Sequence, residues 1–416
     1  MRVLIVGGGG REHALAWRLR QSPEAIDLIA APGNPGIAKQ ARCLPTPSSL
    51  NGYAALAEAE QVDLTVVGPE ATLVDGIVDV FTARGLPIVG PTQAAARLEG
   101  SKIFAKEFLL RAGIPTARSV QCSSAEEALY NIKHFSFPLV IKADGLASGK
   151  GVVIAASLAE AQEAIEKLGP LLVIEEFLEG EEVSFIGVSN GAEIIPLEAS
   201  QDHKRIGDGN TGPNTGGMGA YCDGRILTPQ QAGEVMDTVM IPAVCQMRCE
   251  GSPFAGFLYA GLMMTASGPK VLEFNVRLGD PETQVLMHRL QDGLLDLLRF
   301  AARISDQPAH VLHTAVSPDP SVCVVLAARG YPGNPRTGGR ITGIPAAESL
   351  SATIFHAGTK VSEGELVTSG GRVLGVTASG ADLKAAIQAA YTGVAAIHFD
   401  GMQYRHDIAQ KGLLRW

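Results

Sequence analysis

Through its first hundred residues the chain alternates short apolar runs with stretches of helical periodicity. The runs at 3–6, 28–31, 64–67 and 87–89 are each closed by Gly or Pro, the pattern of strands buried on both faces. Between them, 12–21, 50–60 and 74–84 repeat apolar positions every three or four residues, which predicts helices packed on a parallel sheet. An open sheet of this kind takes its ligand in the crevice beyond the strand carboxyl ends.

A second unit follows. The pattern predicts a helix at 101–112, strands at 139–142, 151–155, 172–177 and 184–189, a helix at 158–168, and two long helices near 229–250 and 282–302. The tract 311–320 lacks periodicity and holds two prolines, so it reads as a linker. Strands at 321–327, 354–357 and 372–379 and a helix at 383–397 then predict a small α+β unit. A length of 416 residues agrees, being too great for one core.

Composition narrows the function classes. Hydrophobic residues at 46% and charged residues at 19% are a globular balance. The net charge is −9 and no Lys/Arg tract occurs, which argues against nucleic acid and membrane partners. An acidic chain that binds an anionic nucleotide must rely on local cations and metal. With no apolar run near 18 residues and no signal-like start, a soluble cytoplasmic protein is expected. The six cysteines are scattered; Cys245 and Cys249, four apart, have no His or Cys neighbours to complete a metal site.

Five segments carry candidate chemistry. Gly7-Gly8-Gly9-Gly10-Arg11-Glu12 follows the first strand and opens a helix, where backbone N–H groups can crowd a phosphate. It is not a dinucleotide fingerprint: Glu12 stands where Gly is needed, and Ala30-Ala31-Pro32 supplies no acid for a ribose. Gly145 to Gly151 is not a P-loop either, since only three residues separate Gly145 from Gly149 and Gly151 replaces the Ser/Thr. It reads as a Gly-rich flap between two strands, with Lys142 beneath it and Lys150 at its tip. The run 172–177 enters the acid-rich turn Glu175-Glu176-Phe177-Leu178, then Gly180-Glu181-Glu182, which suits an adenine pocket.

The sharpest pattern is Val271-Leu272-Glu273-Phe274-Asn275-Val276-Arg277. Period-two alternation turns Leu272, Phe274 and Val276 to the core and Glu273, Asn275 and Arg277 to the other face. A carboxylate and an amide oxygen are hard ligands suited to Mg²⁺, and Arg277 can grip phosphoryl or acyl-phosphate oxygens. Finally, 200–221 forms a long polar loop with six glycines in 207–221. In it Asp202 can orient a substrate amine, and Lys204 or Arg205 can bind phosphate.

These segments contain GGREHA, APGNPG, VGPE, LEGSK, IKADGLASGKGV, VIEEFLEGEEVSF, SQDHKR, TGPNTGGMGAY, GFLYAGLM and EFNVRLGDPETQ, in order along almost the whole chain. The chain thereby resembles the phosphoribosylamine–glycine ligase (glycinamide ribonucleotide synthetase) family of the ATP-grasp superfamily. The resemblance implies an N-terminal open parallel α/β domain (1–100), a two-lobed ATP-grasp domain (101–315, smaller lobe about 118–180) and a small C-terminal α+β domain (316–416). It implies small-molecule substrates: ATP, glycine and 5-phosphoribosylamine, joined through glycyl phosphate by a monomeric enzyme with Mg²⁺ or Mn²⁺. By motif, Lys102, Lys142, Gly149, Glu175, Phe177, Leu178 and Glu182 fall to ATP, and Glu273 and Asn275 to the metal. Gly9, Gly10, Arg11, Glu12, Pro69, Glu70, Asn214 and Asp280 fall to phosphoribosylamine and glycine, with Arg277, Asp202 and Lys150 catalytic. Two departures stand out: the direct link Lys167-Leu168-Gly169-Pro170, where the family has a longer excursion, and Leu278, where Phe is common. Within the superfamily, RLGDPETQ and SQDHKR argue against a carboxylase acting on bicarbonate.

Overall fold

The computed structural model describes residues 1–146, 151–305, 307–312 and 314–415. The N-terminal runs form a five-stranded sheet in the order Arg42–Cys43, Asp27–Pro32, Arg2–Gly7, Leu64–Val67, Ile88–Val89. Its paired strands are all parallel. The order reverses beside Arg2–Gly7, so the loops after Gly7 and Val67 flank the crevice at the switch point. The helix Gly10–Leu19 begins there, as does the short helix Glu70–Val74. The helix expected over 74–84 is instead split between Glu70–Val74 and Ile77–Ala83, because Gly76 between them sits at φ 93°.

Two antiparallel sheets, with three two-stranded pairs beside them, make the rest. The smaller has the order Ser119–Cys122, Leu172–Glu176, Leu139–Ala143, Val152–Ala155. The helices Ala125–Asn131 and Leu158–Leu168 cover it, and Leu139, Ile141, Ala161, Ile165 and Ile174 give it a core of its own. The larger sheet has nine strands, beginning Gly268–Asn275, Ala255–Thr265, Glu181–Asn190, Ser200–Asp202, Gly219–Cys222. It continues without a break into Ser321–Ala327, Arg372–Ser379 and Thr353–His356 of the C-terminal segment.

Three expectations from periodicity change. The helix over 282–302 is two helices, Glu282–Arg289 and Leu294–Ala301. Between them Leu290–Asp292 pairs with Ala315–Val316, and Gly293 at φ 90° restarts the helix, so the tract 311–320 is not a bare linker. The helix near 229–250 does run through, as Pro229–Val235, a π turn over Met236–Met240, and Ile241–Cys249. Pro242 has no N–H to give to the preceding turn, which accounts for the widened turn just before it. The polar loop 200–221 is mostly ordered: Arg205–Gly207 and Thr211–Asn214 pair as a hairpin. No helix among the described residues is long and apolar enough to cross a membrane, and all six cysteines are free.

Candidate functional site

The strand Gly268–Asn275 forms one edge of the large sheet and carries a bulge: Gly261 pairs with Glu273, but Leu262 pairs with Val271. Leu272 is the extra residue. It is only half-buried, whereas Val271 and Phe274 lie in the core, which corrects the expectation that Leu272 faces inward. The bulge instead turns the Leu272 carbonyl toward the small lobe, where it accepts from Lys142 Nζ at 2.8 Å.

Glu273 is set among cations. Lys204 Nζ lies 3.8 Å from its Oε1, and Gly261 behind it leaves room, since a Cβ there would come within 3.2 Å of Glu273 Cγ. Burial works to raise the Glu273 pKa, but Lys204, Lys142, Lys102 and Arg277 together bring it below the ordinary value, so the carboxylate stays ionised. Lys204 is also paired with Glu182; burial opposes its charge, yet Glu182, Asp202 and Glu273 raise its pKa well above the usual lysine value. Lys102 donates to Gly145 O at 2.7 Å, and burial lowers its pKa despite Glu273. Its helix is capped by Ser101, whose hydroxyl donates to Asp144 at 3.0 Å, tying the helix start to the first residues of the flap. Gly149 and Lys150 lie outside the described residues.

The residues expected around adenosine divide. Leu178 is buried, and Phe177 is partly exposed beside it. Glu182 is engaged by Lys204. Glu175 is 2% exposed, with Lys142 Nζ 3.0 Å from Oε2 and Lys106 Nζ 3.1 Å from Oε1. That carboxylate is occupied by lysines.

A chain of ion pairs leads from the strand Gly268–Asn275 to the N-terminal sheet. Arg277, just past the strand end, pairs with Glu99 at 2.9 Å and Glu70 at 3.1 Å. Burial works to lower the Arg277 pKa, but Glu99 and Glu70 drive it further above its ordinary value. Arg11 approaches Glu70 at 3.9 Å, donates to Leu278 O at 2.9 Å and pairs with Glu12 at 2.8 Å. Glu12 is buried and accepts from Gly9 N at 2.5 Å, and a Cβ on Gly68 would collide with it. The glycines of this loop therefore make room for Glu12, besides any ligand. Pro69 caps the helix that starts at Glu70. Asp280 lies against the same loop: Cβ atoms on Gly9 or Gly10 would sit 3.7 Å from its carboxylate. Its side chain pairs with Arg372 of the C-terminal segment at 3.1 Å, and the same guanidinium donates to Gly216 O at 2.5 Å. Burial works to raise the Asp280 pKa, but Arg372 and Arg11 hold it below the ordinary value.

Asp202 and Asn214 come in from the ordered polar segment. Asp202 is pushed up to about 7, chiefly by burial, with Glu282 and Glu182 adding to the rise and Lys204 and Lys411 opposing it. Asn214 ends the hairpin strand opposite Arg205. Sequence reasoning missed Glu99, Arg372, Lys106 and Glu282; the last accepts from Tyr259 at 2.6 Å and Ser184 at 3.1 Å. Glu99 and Glu282 lay inside the LEGSK and RLGDPETQ motifs without a role of their own, and Lys106 sits one helical turn after Lys102.

Among the described residues no group of three or more His, Cys, Asp or Glu could cage a metal. The oxygen donors Glu273 and Asn275, two apart on one strand face, suit a cation that takes few protein ligands and completes its shell on phosphate. A small sheet facing a larger one, with lysines from both and an acidic edge strand between, defines an ATP-grasp enzyme, a class that uses a nucleotide to drive ligation. Family comparison refines that class: the chain belongs to the phosphoribosylglycinamide synthetase family, whose N domain matches residues 1–99, ATP-grasp (A) domain 100–283 and C domain 321–411. It is 49% identical to the phosphoribosylamine–glycine ligase of Xanthomonas axonopodis pv. citri (strain 306), over 100% of this chain and 99% of that protein. Identity to the Pseudomonas aeruginosa enzyme of the same name is 48%, with the same coverage. The crystal structure of phosphoribosylamine–glycine ligase from Thermotoga maritima superposes with a TM-score of 0.85 at 37% identity, covering 98% of this chain and 100% of that one.

Proposed function

We propose that the chain joins glycine to 5-phosphoribosylamine, converting ATP to ADP and phosphate and forming glycinamide ribonucleotide through glycyl phosphate. The carrying observation is Glu273 in a ring of lysines, with Lys204 Nζ 3.8 Å away, Lys142 Nζ on the neighbouring Leu272 O at 2.8 Å, and Lys102 adding to the positive field. Such a ring neutralises a triphosphate where a carboxylate must approach it. Three units, 1–100, 101–315 and 316–416, divide the work in a monomer acting on small molecules in the cytoplasm.

Lys102 and Lys142 hold phosphate oxygens, and Phe177, Leu178 and Glu182 border the adenosine. Glu273 and Asn275 would hold Mg²⁺ or Mn²⁺, which would supply neutralisation of phosphate charge when bound. The glycine carboxylate attacks the γ-phosphorus in line. The phosphoribosylamine nitrogen then attacks the acyl carbon, and phosphate leaves. Asp202, poised near neutrality, orients the amine and takes its proton. Arg277, held by Glu70 and Glu99, faces the acyl phosphate oxygens. The loop Gly9–Gly10–Arg11–Glu12 with Pro69, Glu70, Asn214 and Asp280 receives the phosphoribosyl and glycyl groups.

Glu273→Ala should abolish glycine-dependent ADP release while leaving the circular dichroism spectrum unchanged. Turnover near the parent rate would sink the metal assignment. ADP release driven by bicarbonate rather than glycine would favour a carboxylase instead.

A further inference from the structure

Lys106 lies outside every role assigned so far, yet it is one of the least exposed lysines in the fold, at 3%. It sits on the helix Lys102–Arg111 and pairs with Glu175 Oε1 at 3.1 Å, while Lys142 takes Oε2 at 3.0 Å. Glu175 and Lys142 share one face of the small sheet, where Glu175 is opposite Val140 and Lys142 opposite Val173. Lys106 Nζ also donates to Thr116 Oγ1 at 2.6 Å, and that hydroxyl donates to Val271 O at 2.6 Å. Lys142 donates to the next carbonyl, Leu272 O, at 2.8 Å. The result is a closed ring: Val271, Thr116, Lys106, Glu175, Lys142, Leu272. Glu175 and Lys142 come from the small sheet, Val271 and Leu272 from the strand whose bulge presents Glu273, and Lys106 and Thr116 from the helix and turn that join them.

We propose that Lys106 is a positioning residue for nucleotide phosphates: it shares the charge of Glu175 and clamps Lys142 against the Leu272 bulge. The charge count gives the reason. A carboxylate paired with Lys142 alone would cancel that lysine's charge. With two ammonium groups on one carboxylate, a net positive charge remains, and Lys142, held on Leu272 O beside Glu273, can present it. The ring also fixes the separation of Lys142 from Glu273, because both hang on adjacent residues of one bulge. Burial brings the Lys106 ammonium down to about 8, against the pull of Glu175. A buried charge at that cost is poorly explained by architecture alone, since apolar side chains of similar volume usually stabilise such a site better.

The inference rests on the reading that Lys142 holds phosphate, so the test runs four variants of the full chain: Lys106→Met, Lys142→Met, Glu175→Gln and the double Lys106→Met/Glu175→Gln. ATP KM, glycine KM, kcat and thermal midpoint are measured for each. Lys106→Met should raise the ATP KM about tenfold with the glycine KM unchanged, because neighbours in one network couple at that scale. The double variant, which leaves no uncompensated carboxylate, should bind ATP no worse than Glu175→Gln. A lowered thermal midpoint with the parent ATP KM in Lys106→Met would mean a structural role and overturn the proposal. Additive losses in the double would overturn it too, and this arm remains readable if the single variant folds poorly. A parent-like ATP KM in Lys142→Met would overturn the phosphate reading itself, and the positioning role with it.

Discussion

Asp202 shows how burial and charge together set a side chain for one task. Partly buried and near Glu282 and Glu182, its carboxyl is pushed up to about 7, with Lys204 and Lys411 keeping it from rising further. A group whose pKa is raised is protonated below that pH and cannot then accept a proton. The rate with 5-phosphoribosylamine should therefore fall on the acid side of about 7, and Asp202→Asn should remove that limb while slowing the reaction about 100-fold. Profiles of the same shape in parent and variant would exclude Asp202 as the proton acceptor. Single residues of this sort were partly legible in sequence: Glu273, Asn275 and Asp202 stand in dense polar motifs. Arg372 was not, and the partner of Glu99 was not either, because each acts on a residue far along the chain, Arg372 on Asp280 and Glu99 on Arg277.

At the scale of elements, the bulge in Gly268–Asn275 does more than any one side chain. Alternation in Val271-Leu272-Glu273 cannot reveal it, since two adjacent apolar residues fit either a regular strand or an inserted residue. The same limit split the helix expected over 282–302: Leu290–Asp292 continues an apolar rhythm, and only the backbone at Gly293 shows the break. Strands with strong buried runs were read to within a residue or two, because both faces of the parallel sheet must be apolar. The bulge also makes a testable demand on its neighbour. Gly261→Ala would place a Cβ within 3.2 Å of Glu273 Cγ and displace the carboxylate. The concentration of Mg²⁺ needed for half-maximal rate should rise about tenfold, as when a group supporting a metal ligand is disturbed. An unchanged Mg²⁺ titration would show that Glu273 keeps its place without the glycine.

Across the whole molecule, buried and partly buried histidines mark the seams between units. His13 Nδ1 accepts from His356 N at 2.7 Å, joining the N- and C-terminal segments. His288 meets Ser379 at 2.9 Å and Thr353 at 3.2 Å. Burial, the largest influence on each, brings His13 to about 3 and His288 and His356 to about 4, from an ordinary 6.5. A lowered folded pKa means stability that is complete above 6.5 and lost progressively as pH falls toward those values. The thermal midpoint should drop steadily from about pH 6.5 downward, and His13→Gln should flatten part of that slope. A midpoint indifferent to pH between 6.5 and 4 would contradict the burial of these rings.

The nine-stranded sheet has a consequence for how such a chain can be divided. Its C-terminal strand Ser321–Ala327 is hydrogen-bonded directly to Gly219–Cys222, a strand buried at every residue. A cut between these strands would strip a fully buried ribbon of its partner and leave open backbone groups inviting any passing chain. The C-terminal segment is thus no detachable appendage. Recombination that exchanges it would have to preserve the register of that one strand pair, which makes the sheet, rather than the sequence interval, the unit that is inherited whole.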